Sequence, residues 1–279
     1  MKETPGAQPG TQSGWVGAIR GDAEVARVFI TGSSDGLGLM AARLLIEQGH
    51  EVVVHGRNEG RGRAALAAAP GARGVVSGDL STITGATTVA DEANKLGRFD
   101  AVIHNAGIGY REGRVETEPG VPSVFAVNVL APYILTALIE RPPRLVYVSS
   151  GMHRGVRPRM DDLLWTQRPW SGSSAYAESK LCDVLLAFAV ARRWKDVKSN
   201  ALEPGWVATK MGGPSAPDDL HQGCVTQAWL ATSEDALTQS SGGYFYHQRP
   251  RAPNPIADDL RTQEQLLAEC RRISGIALD

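Results

Sequence analysis

The chain has 279 residues, of which 42% are hydrophobic, and its formal net charge at pH 7 is −1. This length suits one large α/β domain, and because there is no long basic run, nothing indicates nucleic-acid binding. Three cysteines without a CxxC pair favour a reducing compartment and argue against a disulfide framework or a cysteine metal site. We therefore expect a cytoplasmic protein with no bound metal.

The first segment, residues 1–24, is rich in Gly, Pro, Gln and Thr. It contains no apolar stretch typical of a signal peptide, and the chain has no run long enough for a membrane span. We expect a flexible N-terminal arm, although Trp15 and Val16 could instead dock on the folded body. Residues 25–279 form the predicted domain.

From Ala26 onward, short apolar runs alternate with longer amphipathic stretches. Strands are predicted at 26–30, 51–55, 73–80, 99–107, 144–150, 197–205 and 243–248, and helices at 39–49, 60–70, 123–138, 174–193, 220–232 and 257–273. This alternation favours parallel strands joined by right-handed crossovers. We predict a single-domain, doubly wound (Rossmann) α/β fold with a parallel seven-stranded sheet and helices on both faces, whose ligands bind beyond the carboxyl ends of the strands.

A glycine-rich segment, TGSSDGLG at 31–38, joins the first strand to the first helix. Gly32, Gly36 and Gly38 permit a tight turn and close approach of the backbone to a pyrophosphate. The helix that follows offers free N–H groups and a partial positive charge. An ordinary βα turn is the alternative for such a triplet, but the strand before it and the helix after it favour a phosphate loop.

The end of the second strand indicates the nucleotide. NAD enzymes usually carry a carboxylate there for the ribose 2′-hydroxyl, whereas NADP enzymes offer an arginine to the 2′-phosphate. Here Arg57 and Asn58 follow the strand without an acid. Arg57 is thus a candidate bidentate phosphate ligand, a solvated surface arginine being the alternative, and NADP(H) is the predicted cofactor. Asp35, an acid inside the phosphate loop, counts against it.

The candidate catalytic pair is Tyr176 and Lys180 in AYAESK, whose spacing places both on one face of a helix. An ammonium beside a phenol favours the phenolate and suits Tyr176 to general acid–base catalysis. The spacing alone is a common accident. Ser150, at the end of the fifth strand, could bind a substrate oxygen, and Asn128 could hold a water linked to Lys180; taken singly, each could equally be structural.

Taken together, TGSSDGLG, GDL at 78–80, HNAG at 104–107, Asn128, VSS at 148–150, YAESK and EPGWVAT at 203–209 resemble, in their order, the motifs of the short-chain dehydrogenase/reductase family. The resemblance covers residues 26–274. It implies a catalytic tetrad of Asn128, Ser150, Tyr176 and Lys180. It also implies a set of cofactor contacts: Gly32, Ser34, Gly36, Leu37, Gly38, Arg57, Asn58, Asp79, Leu80, Asn105, Ala106, Gly107, Tyr176, Lys180, Pro204, Gly205, Val207 and Thr209.

The long interval between Ser150 and Tyr176, with SKLCDVLLA at 179–187, resembles the retinol dehydrogenase-like branch of that family, near bacterial polyketide ketoreductases. Two residues depart from the family pattern: His104 replaces the usual Asn of NNAG, and Asp35 stands where many NADP-dependent members carry a base. Members tend to form dimers and tetramers through helix pairs, so a homo-oligomer is one expectation, although this branch varies.

The predicted activity is hydride transfer between NADP(H) and a carbonyl or alcohol, with Tyr176 as the proton donor. Apolar residues in the connections 152–174 and 206–222, which leave carboxyl ends of strands, predict a bulky, mostly apolar small-molecule substrate. Two alternatives remain. One is a nucleotide-sugar epimerase, which shares the Tyr/Lys pair; the other is a redox-sensing or scaffold protein that binds NADP(H) without turnover.

Overall fold

The structure is a computed structural model and describes residues 24–279. All but the last residue of the predicted arm 1–24 lies outside the described residues. The strands are β1 (Arg27–Ile30), β2 (Glu51–Gly56), β3 (Gly74–Ser77), β4 (Ala101–His104), β5 (Glu116–Glu118), β6 (Val121–Pro122), β7 (Arg144–Val148), β8 (Lys198–Glu203), β9 (Tyr244–Tyr246) and β10 (Arg249–Pro250). The helices are α1 (Gly36–Glu47), α2 (Glu59–Ala68), α3 (Ile83–Lys95), α4 (Ser123–Phe125), α5 (Ala131–Leu138), α6 (Gly172–Arg193), α7 (Leu220–Thr232) and α8 (Leu260–Ser274).

The main sheet has the order β10-β9-β8-β7-β4-β1-β2-β3, and a separate hairpin pairs β5 with β6. Every neighbouring pair in the main sheet is parallel except β9 and β10. The doubly wound fold is therefore confirmed, but within residues 24–279 the main sheet has eight strands and not seven. The eighth strand turns back from β9 through His247 and Gln248, whose φ angles are 47° and 60°. Two residues ending in Pro are too short to show a strand pattern.

Helix α3 is a second difference, because no helix was predicted between the third and fourth strands. Its sequence, ITGATTVADEANK, contains Gly and β-branched Thr, which have low helix propensity, and few large apolar residues. Two features nevertheless support it. The Thr82 side chain caps its first turn by accepting from the Gly85 N–H at 3.0 Å. Ala86, Val89, Ala90 and Ala93 then form a buried stripe of small residues.

The core consists of two apolar layers, one on each face of the sheet. Within β1, Phe29 packs into one layer, whereas Val28 and Ile30 pack into the other, as the alternation of side chains along a strand requires. Helices α3, α5, α6 and α8 cover the first layer, and α1, α2 and α7 cover the second. No helix within residues 24–279 is both long and apolar enough to cross a membrane.

The position of the functional edge follows from the topology. Strand β1 lies between β2 and β4, so the chain leaves β1 toward one side of the sheet and later returns to its other side. At such a switch point the connections diverge and leave a crevice beyond the carboxyl ends of the strands.

Candidate active site

A large cleft, with a cavity volume of about 1420 Å³, opens at this crevice. Most of the predicted cofactor contacts line it: Gly32, Ser34, Gly36, Leu37, Arg57, Asn58, Asp79, Leu80, Asn105, Ala106, Gly107, Tyr176, Lys180, Pro204 and Thr209. Three predicted contacts do not line it. Val207 is buried, Gly38 packs against Asn105, and Gly205 lies against Asp218.

The loop between β1 and α1 has the geometry of a phosphate cradle. Gly32 has a φ of 63° and Gly36 a φ of 55°, the left-handed region that favours glycine. A Cβ atom on Gly32 would lie 2.7 Å from Ala106 Cα, whereas one on Gly36 would meet nothing within 4 Å. The side chain of Asp35, which precedes α1, does not cap the helix. The first-turn N–H groups that it leaves uncapped fit a pyrophosphate.

His55, the last residue of the second predicted strand, supports this loop. Its Nδ1 accepts a hydrogen bond from the Gly32 N–H at 3.0 Å, and its Nε2 lies 3.0 Å from the Gly78 carbonyl oxygen. The proton is therefore on Nε2. Burial lowers the pKa of His55 to about 4, so the ring is neutral at physiological pH. A lone histidine in a strand carries no sequence signal for such a role.

Basic side chains surround the phosphate loop. Arg57 is exposed at the cleft wall, and Arg61, from α2, donates to Ser34 Oγ at 2.9 Å and to Asp35 Oδ2 at 2.6 Å. Lys210 Nζ lies 2.8 Å from the same Asp35 oxygen. The hydrogen bond from Lys210, with that from Arg61, lowers the pKa of Asp35 against the opposing effect of burial. The acid that counted against NADP(H) is thus paired with two cations, neither of which was singled out from the sequence.

The candidate catalytic pair lies at the other end of the cleft, on α6. Tyr176 and Lys180 are both buried, and Lys180 Nζ is 5.9 Å from the centre of the Tyr176 ring. Lys180 Nζ donates to the Val148 carbonyl oxygen at 2.9 Å and to Asp183 Oδ2 at 2.8 Å. The Tyr110 ring meets the Tyr176 ring edge-on, with 5.9 Å between their centres.

Asn128 lies behind this pair, in the π-helical segment Ala126–Leu130 that joins α4 to α5. Its Oδ1 accepts from the Ile108 N–H at 2.7 Å, and its Nδ2 donates to Ser179 Oγ at 2.9 Å. A Cβ atom on Gly107 would be 3.5 Å from both Asn128 Oδ1 and Lys180 Nζ. The fold therefore brings Asn128 and Lys180 together around the position that a Gly107 side chain would occupy.

Ser150 lies two residues beyond the end of β7, at the sheet edge that the sequence predicts. Its Oγ accepts from the Met152 N–H at 3.4 Å, and it begins the 3₁₀ segment Gly151–Gly155. Neither Ser150 nor Asn128 lines the cleft, whereas the neighbouring Ser149 does. Ser149 Oγ donates to the Lys180 carbonyl oxygen at 2.6 Å, which ties β7 to α6.

The two candidate substrate connections differ in their placement. From 206–222, the lining residues are Ala208, Thr209, Lys210, Met211 and Leu220, whereas no residue of 152–174 lines the cleft. Leu163 and Trp165 of the latter segment are buried in a pocket that also involves α4 and α6. Arg168 holds that segment on α6 through a bidentate contact with Glu178, at 2.7 and 2.6 Å. These apolar residues therefore pack the segment onto the body of the protein.

The cysteines and the possible metal ligands of residues 24–279 form no reactive cluster. Cys182, Cys224 and Cys270 are buried and free. In this part of the chain no three His, Cys, Asp or Glu side chains are grouped so that they could hold a metal ion.

The family model for short chain dehydrogenases matches residues 26–151. An uncharacterized oxidoreductase of Emericella nidulans is 45% identical over 259 residues, which cover 91% of this chain and 99% of that protein. Short-chain dehydrogenase chry4 of Gibberella zeae is 41% identical over 258 residues, which cover 91% of this chain and 99% of that protein. Human retinol dehydrogenase 13 is 29% identical over 287 residues, with coverage of 89% and 84%.

The fold has a similar counterpart among solved structures. A protein of Mycobacterium Paratuberculosis superposes with a TM-score of 0.79 and 26% identity, covering 92% of this chain and 97% of that chain. The sequence identities extend over nearly the whole chain, and the motifs lie where the fold places a nucleotide cleft. The chain therefore belongs to the short-chain dehydrogenase/reductase family of oxidoreductases.

Proposed function

We propose that this oxidoreductase uses NADP(H) to reduce a bulky, mostly apolar ketone or aldehyde to an alcohol, or catalyses the reverse reaction. One observation carries the proposal. A single cleft is lined by the phosphate loop at one end and by Tyr176 and Lys180 at the other. A dinucleotide extended along it would have its phosphates at the uncapped N-terminus of α1 and its reactive ring near the tyrosine.

In the proposed mechanism, NADP(H) supplies the hydride when bound, and the protein supplies position and protons. The Tyr176 hydroxyl gives a proton to the carbonyl oxygen during reduction and takes it back during oxidation. Lys180 holds a positive charge beside the tyrosine. Asn128 fixes the Ile108 backbone next to the lysine. Ser150 is assigned to the substrate oxygen because it matches the serine of the family motif, although its side chain caps the segment Gly151–Gly155 and does not line the cleft.

The preference for NADP(H) over NAD(H) rests on Arg57 and Arg61. Both line the wall that follows β2, where a ribose 2′-phosphate would lie. The only acid of the phosphate loop, Asp35, already forms ion pairs with Arg61 and Lys210. Two guanidinium groups near an otherwise neutralised loop favour the additional phosphate.

The proposal of an apolar substrate is based on three apolar residues that line the same cleft as Tyr176. Ile108, Val148 and Met211 line the cleft, and Met211 packs so closely that a Cβ atom on Gly109 would lie 2.9 Å from its Cγ. Trp206 is 54% exposed although its indole N–H is held by the Gly212 carbonyl oxygen at 2.9 Å. Trp206 does not itself line the cleft, so the proposed substrate class is supported by the apolar side chains of Ile108, Val148 and Met211 in the cleft wall.

The test is turnover with a panel of ketones and aldehydes graded in size and polarity, measured as loss of NADPH or NADH absorbance. We expect NADPH to be preferred, and kcat/KM to increase with apolar bulk. NADPH binding without turnover of any carbonyl would favour the sensor or scaffold alternative, and conversion of a sugar nucleotide without net cofactor oxidation would favour the epimerase. Higher kcat/KM for short hydrophilic substrates would contradict the proposed substrate class.

A further inference from the structure

The hydrogen bonds of Lys180 within the protein leave one of its N–H donors for a ligand. A lysine ammonium has three N–H donors. One is used by the Val148 carbonyl oxygen at the end of β7, and a second by the Asp183 carboxylate, one helical turn further along α6. The cleft is open on the side of Gly107 and Tyr176. One N–H of Lys180 therefore remains for that side.

Asp183 is buried, with 3% of its surface exposed, and it belongs to no part of the cleft wall. Besides Lys180, two titratable groups interact with it: Tyr147 from β7 and the neighbouring Cys182 on α6. Burial raises the pKa of both groups. His104 on β4 stacks on Tyr147 at 4.7 Å, and burial lowers its pKa to about 3. These three side chains are therefore uncharged near neutral pH, and Lys180 is the charge that Asp183 faces.

We propose that Asp183 is a positioning residue of the active site, which holds Lys180 as an ammonium with its remaining N–H directed at the bound reactants. The physical need follows from the burial of Lys180, since a charge removed from water requires a partner to stay charged. A backbone carbonyl alone orients an amine but does not neutralise its charge. This proposal rests on the proposed function, because the reactants that Lys180 contacts are those of the oxidoreductase cleft.

The ion pair between Asp183 and Lys180 weakens as the pH becomes acidic. Burial raises the pKa of Asp183 to about 6, although the charge and hydrogen bond of Lys180 oppose that rise. For Lys180, burial acts to lower the pKa, but the charge of Asp183, the interaction with Tyr176 and the hydrogen bond to Asp183 together outweigh it, and the pKa is raised. As the pH falls through about 6, Asp183 takes up a proton and releases its hold on Lys180. Cofactor affinity and kcat should therefore both decrease as the pH falls below about 6.

The variant Asp183→Asn tests this, because it keeps the shape of the side chain and removes its charge. At about pH 8 we expect NADPH to bind about threefold to tenfold more weakly and kcat to fall at least about tenfold. In the wild type, both quantities should decline from about pH 7 to pH 5, and in the variant they should be flat over that range. Binding is measured without substrate, by quenching of tryptophan fluorescence.

Glu178→Gln is the matched control. Glu178 is also a buried carboxylate of α6 in an ion pair, but its partner Arg168 belongs to the segment that packs away from the cleft. Its loss should lower thermal stability while the wild-type kcat, NADPH affinity and acid decline are retained. A purely structural role for Asp183 predicts the same outcome for both variants.

The proposal would be overturned if Asp183→Asn kept the kcat, the NADPH affinity and the acid decline of the wild type. It would also be overturned if NADPH affinity and kcat of the wild type itself were constant from about pH 8 to pH 5. If the asparagine variant does not fold, Asp183→Ser is measured by the same criteria. If the wild type binds NADPH but reduces no carbonyl, the proposed function fails while the binding comparison still decides the role of Asp183. If the wild type turns over and Asp183→Asn is unaffected, only the inference about Asp183 fails.

Discussion

Lys210 Nζ lies 2.8 Å from Asp35 Oδ2, so an ion pair joins the connection between β8 and α7 to the phosphate loop across the cleft. The same oxygen accepts from Arg61. The Asp35 carboxylate thus pairs with two cations that could otherwise bind a phosphate. These exposed or half-exposed contacts are weak enough in water to be exchanged for a ligand.

Asp35→Asn should strengthen NADPH binding, because Arg61 and Lys210 lose a competing anion. The expected gain in affinity is about twofold to fivefold at low salt, with a smaller gain for NADH, which lacks the 2′-phosphate. Titration calorimetry with each cofactor at two salt concentrations measures it. Weaker NADPH binding in this variant would show that Asp35 serves to orient Arg61 and does not compete with the phosphate.

Arg57→Ala should raise the KM for NADPH by about 10- to 100-fold, since a charge-assisted contact to a phosphate is worth about 1.5–3 kcal/mol. The KM for NADH should change little. Arg63→Ala is a suitable control, because Arg63 is an exposed arginine of the helix that follows Arg57, α2, and does not line the cleft. Equal KM values for the two cofactors in the wild type would contradict the assignment of Arg57.

Tyr176→Phe should abolish turnover while NADPH affinity stays nearly unchanged, because only the proton donor is removed. The aromatic contact with Tyr110 is retained, so the local packing should survive. Single-turnover absorbance and fluorescence titration measure the two quantities separately. A variant with near wild-type kcat would require a different proton donor.

The free energy of unfolding should fall as the pH decreases from about 6.5 to 4, in part because of His55. Burial lowers its folded-state pKa to about 4, below the ordinary histidine value of 6.5. The unfolded chain therefore binds a proton first, and its protonation removes stability by up to roughly 3 kcal/mol over this window. Above the unfolded pKa the contribution of the neutral ring is fully present.

Urea unfolding of His55→Gln at several pH values checks this, since glutamine can both accept from Gly32 and donate to Gly78 without titrating. The variant should show a shallower pH dependence than the wild type by about one proton. His104, whose pKa is also lowered, should maintain part of the slope. An unchanged slope in His55→Gln would contradict the assignment.

Local patterns in the sequence determined the fold class and the two ends of the cleft. Short apolar runs alternating with amphipathic stretches specify parallel strands with helices between them, because side-chain periodicity is set within a few residues. The glycines of the phosphate loop and the four-residue spacing of Tyr176 and Lys180 are local in the same sense. The contact between Asp183 and Lys180 is local as well, because the two residues are three positions apart on one helix.

Only the tertiary structure decided which distant side chains meet. Asp35 and Lys210 are 175 residues apart, and their ion pair depends on how the β8–α7 connection crosses the cleft. The apolar residues of 152–174 have the composition of a substrate wall, yet Arg168 and Glu178 hold that segment against α6 and away from the cleft. Composition shows that such residues must be covered, but burial against the body of the protein and burial against a ligand satisfy the same hydrophobic requirement. The choice between them is made by contacts that no local pattern encodes.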